Sequence, residues 1–426
     1  MLGTVALVLV LLIVLGMPIA MSMGMAAFTA ILARGDIPLA VTAQRMVYGV
    51  DSFPLLAVPF FILAGSLMNN GGVTERLVRF ANALVGHLTG GLGHVVVVTN
   101  MIMAGMSGSA VADAAGTGSV LIPAMVRSGF SPSFSAAVTA SASTIGPIIP
   151  PSIPFVVYGV LAGVSIGRLF LGGAVPGVLM GLYLMGVVYL ISRRRGYGRG
   201  EKATCGSLLS SFKDAVPALM LPLIILWGIV GGAVTPTEAA VLAVLYALFL
   251  GTVVYRELGI SSIGKVFGEA ALTTGLIMFI VSAASLLAWI LTREQAGPAL
   301  VSAVTSVTTD PRLVLLVINI ILLILGCFLE TLSIMIILVP VLMPLIKALG
   351  IDPVHFGVVF TLNLMIGLIT PPVGMSMFIS CTIAKIKITD FAREIPIFIV
   401  ALVAVLLVIT YLPETVLFLP QLIMGK

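Results

Sequence analysis

Charge is too scarce in this chain for it to fold in water. Asp, Glu, Lys and Arg make up 9% of its 426 residues and hydrophobic side chains 60%, whereas an ordinary soluble domain carries about 25% charged residues. So few charges cannot solvate a surface of this size. Soluble enzymes, nucleic-acid binders and disordered chains are excluded, and an all-α polytopic protein embedded in the lipid bilayer is expected. The formal charge of +5 does not change this: Arg193, Arg194, Arg195, Arg199 and Lys202 form one short basic run between apolar segments, the mark of a cytoplasmic loop. Cys205, Cys327 and Cys381 cannot make a disulfide framework, and His87, His94 and His355 have no metal-ligand spacing.

A hydrocarbon core of about 30 Å asks for roughly 20 apolar residues per helix. Such stretches run at about 2–33, 53–69, 92–126, 133–165, 169–192, 214–255, 267–292, 312–349, 354–384 and 391–412. The first has neither a basic leading segment nor a cleavage site, so it is expected to be a retained helix rather than a signal peptide. It is interrupted at Gly16-Met17-Pro18, and 214–255 at Thr235-Pro236-Thr237-Glu238, where Thr235 or Thr237 suits a helix cap. Each is expected to fold back as two helices. Residues 72–88, charged on one face and apolar on the other, are expected to form an amphipathic helix at the interface.

An internal repeat organises the rest. At a constant offset of 221 residues, Gly105 lies over Gly326, Val120-Leu121 over Val341-Leu342, Pro123 over Pro344 and Gly129 over Gly350. The register continues without a gap through Pro132 over Pro353, Ile145-Gly146 over Ile366-Gly367, and Pro150-Pro151 over Pro371-Pro372. The repeat divides the chain into 1–200 and 201–426. Each half is expected to hold about five spanning helices, one of them broken (about 133–165 and 354–384), and one re-entrant hairpin (about 92–126 and 312–349). Five spans per half invert the second half relative to the first. With the 193–202 loop in the cytoplasm both termini are periplasmic, and fourteen of the 21 Lys and Arg fall on the cytoplasmic side, as the positive-inside rule prefers.

Residues that break helices at membrane depth carry the functional reading, because unpaired backbone there is tolerated only beside protein, water or an ion. Pro147, Pro150 and Pro151 in the first break, and Pro371 and Pro372 in the second, remove N–H donors and free upstream carbonyls. Those carbonyls suit Na⁺, and each new helix N-terminus suits an anion. The hairpins carry polar residues mid-way, 107–118 in the first and 329–333 in the second. Asp113 and Glu330 are the acids set deepest in apolar sequence, and an intramembrane acid points to a site. The bland alternative is capping: Asp113 is placed to cap the returning arm of its hairpin, as are Thr331 and Ser333 in the other. Asn363, about a turn before the second break, is placed to brace it.

The segments Ser107-Gly-Ser-Ala-Val-Ala-Asp113, Gly146-Pro-Ile-Ile-Pro-Pro-Ser152 and Thr370-Pro-Pro-Val-Gly374 together resemble the large membrane subunit of tripartite ATP-independent periplasmic (TRAP) transporters, over essentially the whole chain. The resemblance implies an elevator-type carrier of the bacterial inner membrane that takes up an organic acid, such as a C4-dicarboxylate or sialic acid, with Na⁺ as coupling ion and no other cofactor. It implies a periplasmic binding protein that delivers substrate and a small four-helix membrane subunit. No extra N-terminal helices precede the first stretch, so that subunit is expected as a separate chain. Carried over, one Na⁺ site uses Ser107, Ser109, Thr144 and Gly146, and the other Glu330, Thr331, Gly367 and Thr370, with substrate near Ser107, Ser152 and Glu330. Two other readings compete. One is a stand-alone ion-coupled anion carrier with no binding protein. The other is an intramembrane hydrolase with Asp113 and Glu330 as paired acids, which the repeat disfavours by placing Glu330 over Ser109 and Asp113 over Ile334.

Overall fold

The computed structural model describes residues 2–425, all helix and connection with no strand among them. The first apolar stretch is α1 (Leu2–Val14) and α2 (Ile19–Arg34), parted at Gly16, whose φ of +80° favours glycine, and at Pro18. Next come α3 (Ala40–Val50), a 3-10 turn, α4 (Ala57–Asn70) and α5 (Val73–Val85). The α5 helix is amphipathic as expected: Val73, Thr74, Leu77 and Ala81 are buried, and it packs on the neighbouring α6 (Gly91–Ser107). With α7 (Ala110–Arg127), α6 makes the first hairpin. The first broken helix is α8 (Pro132–Ser143) and α9 (Ile153–Ala162), and α10 (Ile166–Arg195) runs 30 residues into the basic loop.

The 214–255 stretch is α11 (Cys205–Val230) and α12 (Pro236–Phe249), the latter extended by a π turn. Of the two threonines suited to cap α12, Thr235 does so: its Oγ1 accepts from Glu238 N at 3.3 Å, while the Glu238 carboxylate accepts from Thr235 N at 2.7 Å. The long α13 (Ile260–Arg293) and the short α14 (Ala296–Thr305) precede the second hairpin, α15 (Pro311–Gly326) and α16 (Thr331–Ala348). The second broken helix is α17 (Pro353–Gly367) and α18 (Met375–Ala384), followed by α19 (Ile388–Tyr411) and α20 (Glu414–Met424). Among the described residues, seven helices are long and apolar enough to cross a membrane. The shorter α3, α14 and α20 lie outside the apolar stretches read from the sequence.

One side of the molecule is built on α13, which packs on α2, α3 and α4, with α12 against α4. Contact with α3 is close: a Cβ on Gly49 would collide with Ser285, and Ser282 Oγ donates to Met46 O at 2.9 Å. The other side gathers the hairpins and broken helices, α7 and α18 on α8, α15 on α17 and α16 on α9. Tyr158 ties its two halves together, packing against Phe356 and Phe360 and donating to Pro353 O at 2.7 Å.

Candidate functional site

The first hairpin turns at Gly108, which holds φ +59°, and Ser109 then caps α7 by accepting from Ala112 N at 3.4 Å. The tip rests on the first break, since a Cβ on Gly108 would lie 2.7 Å from the Pro151 carbonyl oxygen. Residues 144–152 leave the helix, with Pro150-Pro151 in cis. Ser152 closes this loop: its Oγ accepts from Phe155 N at 3.2 Å and donates to Pro147 O at 2.5 Å. Thr144 donates to Ser141 O at 2.6 Å.

Asp113 sits behind this tip and is not the cap that its position in the sequence allowed, because Ser109 fills that role. It is 0% exposed, and neither carboxylate oxygen has a hydrogen-bond partner. The carboxylate lies over Gly146 so closely that a Cβ there would collide with it. A carboxylate ionised in this condition would be costly to bury.

At the second hairpin the capping residue is Glu330 itself, whose Oε2 accepts from Ser333 N at 3.0 Å and from Ser333 Oγ at 3.2 Å. The second break spans 368–374, with Pro371-Pro372 in cis. It docks on the hairpin through backbone: Val373 N donates to Cys327 O at 3.2 Å, and a Cβ on Gly367 would lie 2.6 Å from Gly326 O. Thr370 donates to Ile366 O at 2.7 Å. Asn363 belongs to a buried clasp, donating to Asn319 O and Oδ1 at 2.9 and 3.0 Å while Asn319 donates to Thr410 Oγ1 at 3.0 Å.

Both tips and both breaks face one cavity of about 330 Å³. Its wall takes Ser109 and Val111 from the first tip, Pro147, Ile153 and Pro154 from the first break, Glu330, Thr331 and Leu332 from the second tip, and Leu368 and Met375 from the second break. The remaining side is α13, through Thr273, Leu276, Ile277 and Ile280. Of the residues singled out in the sequence, Ser109, Pro147, Glu330 and Thr331 line the cavity. Ser107, Ser152, Thr144, Gly146, Gly367, Thr370, Ser333 and Asn363 do not. The α13 wall went unread in the sequence; its signal was a hydroxyl, Thr273, in the middle of a long apolar helix. A larger cavity of about 550 Å³ lies among Ser52, Gly163, Ser165 and Pro236, with no ionisable group in its wall.

The N-termini of α7, α9, α16 and α18 all begin at the 330 Å³ cavity. Each N-terminus is equivalent to roughly half a positive charge. Neither Arg nor Lys lines the wall, and its one ionisable side chain is Glu330, so an anion held here is held by helix N-termini rather than guanidinium or ammonium groups.

Residues 6–415 match the family described as the tripartite ATP-independent periplasmic transporter, DctM component. The chain is 42% identical over 410 residues to a sialic acid TRAP transporter large permease protein of Vibrio cholerae, covering 96% of each. It is 42% identical over 405 residues to a 2,3-diketo-L-gulonate TRAP transporter large permease protein of Escherichia coli, covering 95% of each. In fold it is similar to the YdaH transporter of Alcanivorax borkumensis, with a TM-score of 0.63 at 14% identity over 91% of this chain and 90% of that one.

Proposed function

The chain belongs to the TRAP transporter family as its DctM component, the large permease, and from that premise we propose that it carries a small organic acid into the cell across the bacterial inner membrane, coupled to Na⁺. Membership of a transporter family removes the hydrolase reading. The observation that carries the proposal is the cavity itself, with four helix N-termini turned on a space that holds no basic side chain. Relatives named for sialic acid and for diketogulonate support an organic-acid substrate. The small membrane subunit and a periplasmic binding protein complete the transporter.

Two cation sites flank the cavity in this reading. The first is Ser107, Ser109, Thr144 and Gly146, with Asp113 supplying the charge that nothing in the fold neutralises. The second is Gly367 and Thr370 with Thr331 and Glu330. The halves 1–200 and 201–426 are inverted repeats, which the equal 18-residue lengths of α7 and α16, begun 221 residues apart, support. The basic loop is cytoplasmic, both termini are periplasmic, and transport is by an elevator movement of the hairpin side.

A thermal melt of the purified permease with its small subunit, in NaCl against KCl at matched ionic strength, tests the coupling ion without knowledge of the substrate. Na⁺ at a hundredfold excess over Kd stabilises by about 2.7 kcal/mol. A rise specific to Na⁺ and reduced in Thr370→Ala is expected; identical melts in the two salts would overturn Na⁺ coupling.

A further inference from the structure

The end of α10 carries a further polar cavity, walled by none of the residues of the 330 Å³ one. It measures about 410 Å³ and is walled by Thr89, Tyr189, Ser192, Arg193, Tyr197 and Arg199. Its frame is fixed from both sides. Gly90 N donates to Gly198 O at 3.1 Å, Gly200 N to Gly86 O at 3.0 Å and Arg199 Nε to Thr89 Oγ1 at 3.0 Å, so the loop is stitched to the elbow before α6. Tyr197 is wedged against Phe130, ring centroids 4.4 Å apart, and its hydroxyl donates to Ser131 Oγ at 3.3 Å.

The charge on this frame is unanswered. Arg195, which points elsewhere, is met by Glu394 in two bonds of 2.9 Å. Arg193 and Arg199 have no carboxylate within ion-pair distance among the described residues, and Glu201 is not in the wall. Ser192 is 0% exposed, and its Oγ has no hydrogen-bond partner. The helix C-terminus contributes only about half a negative charge, against two guanidiniums.

We propose that this cavity binds a phosphate anion at the bilayer surface, with Arg193 and Arg199 as its charge partners and Ser192 as a buried donor. Two guanidiniums and a hydroxyl match the tetrahedral oxygens of a phosphate. The placement at the surface rests on reading the chain as a membrane permease, in which the Arg193–Arg199 loop borders the headgroups. Tyr189 and Leu190, exposed on the flank of α10, give an acyl chain a place to lie, so a lipid headgroup and free phosphate are the two sources to separate.

Native mass spectrometry of the detergent-purified permease with its small subunit, given phosphatidylglycerol or phosphatidylcholine, reads the lipid source. Thermal melts with inorganic phosphate at constant ionic strength read the free one. Retention of phosphatidylglycerol is expected at about tenfold over phosphatidylcholine, lost in R193A/R199A, kept in R193K/R199K, and kept in Arg194→Ala, whose side chain is outside the wall. Stabilisation by inorganic phosphate without lipid preference, again lost in R193A/R199A, supports the site with a free anion as its ligand. Equal retention of both lipids together with no response to phosphate, or a response untouched in R193A/R199A, overturns the proposal. Neither readout involves Na⁺ or transport, so its failure leaves the transport reading standing, and the reverse.

Discussion

An ionised carboxylate buried without a hydrogen bond costs several kcal/mol unless something positive joins it. Asp113, once ionised, would be in that position, fully buried against Gly146 with no partner for either carboxylate oxygen. Asp113→Asn keeps the shape and removes the charge, so its effect should change sign with the salt. In KCl the variant should melt at or above the unsubstituted chain, because an unpaired buried charge is gone. In NaCl the order should reverse, because the ion that relieves the charge no longer binds. Parallel melting curves that differ by the same amount in both salts would show that Asp113 carries no cation. The sequence marked Asp113 as an acid in apolar surroundings but could not tell a cap from a site. Ser109 and Asp113 are both capping residue types at the start of the same arm. Gly108 decides between them, since its left-handed conformation ends α6 one residue before Ser109. In the second hairpin the sequence offered Thr331 and Ser333 as caps, but Glu330 takes that role and also lines the cavity.

The repeat register was readable because glycine and proline state backbone requirements directly. The helices α8 and α17 begin 221 residues apart, as do α7 and α16, and Ser109 and Glu330, also 221 apart, cap their helices from equivalent positions. Equivalent glycines nevertheless meet different partners. Gly146 faces a carboxylate, whereas Gly367 faces the backbone of Gly326, so the two sides are chemically unequal: the first has Asp113 behind its break and the second has Glu330 on its hairpin tip. The elements missed in the sequence, α3, α14 and α20, are 10 or 11 residues each, too short to show as a span by apolar length. At the α15–α17 crossing two backbones touch, the small-residue packing that membrane helices favour. A Cβ on Gly367 would lie 2.6 Å from Gly326 O, whereas one on Gly326 would lie 3.2 Å from the Gly367 Cα. Gly367→Ala should therefore cost about 1–3 kcal/mol by overpacking and Gly326→Ala distinctly less. Thermal melts of the two variants check the order, and equal losses would mean that the crossing gives way without resistance.

Whether cargo moves by sliding depends on the face that α13 turns to the hairpins. Thr273, Leu276, Ile277 and Ile280 fall at i, i+3, i+4 and i+7, one stripe of the helix. Its polar side chains are committed elsewhere: Thr273 donates to Glu269 O within the helix, Ser282 to Met46 O in α3, and Arg293 to Asp36 beyond α2. Arg45 and Arg293 both lie over the Trp289 ring on that same end, and the neighbouring Glu294 pairs with Arg34. Among the described residues no side-chain hydrogen bond joins α13 to either hairpin. The hydrophobic effect is non-directional, whereas hydrogen bonds and ion pairs hold one geometry. In the elevator reading the plane between α13 and the tips is therefore the one to shear, while the α13–α3 contact is pinned. Spin labels on Thr273→Cys and Leu332→Cys, with the three native cysteines replaced, should report two separated distances whose ratio shifts when KCl is exchanged for NaCl. A control pair across the pinned contact, Val47→Cys and Leu272→Cys, should report one distance in both salts. A single unchanging distance for the first pair would place the moving boundary somewhere other than this plane. One distance for the first pair with two for the control would mean that α13 moves with the hairpins, and that the anchors to Met46 and Asp36 are what break.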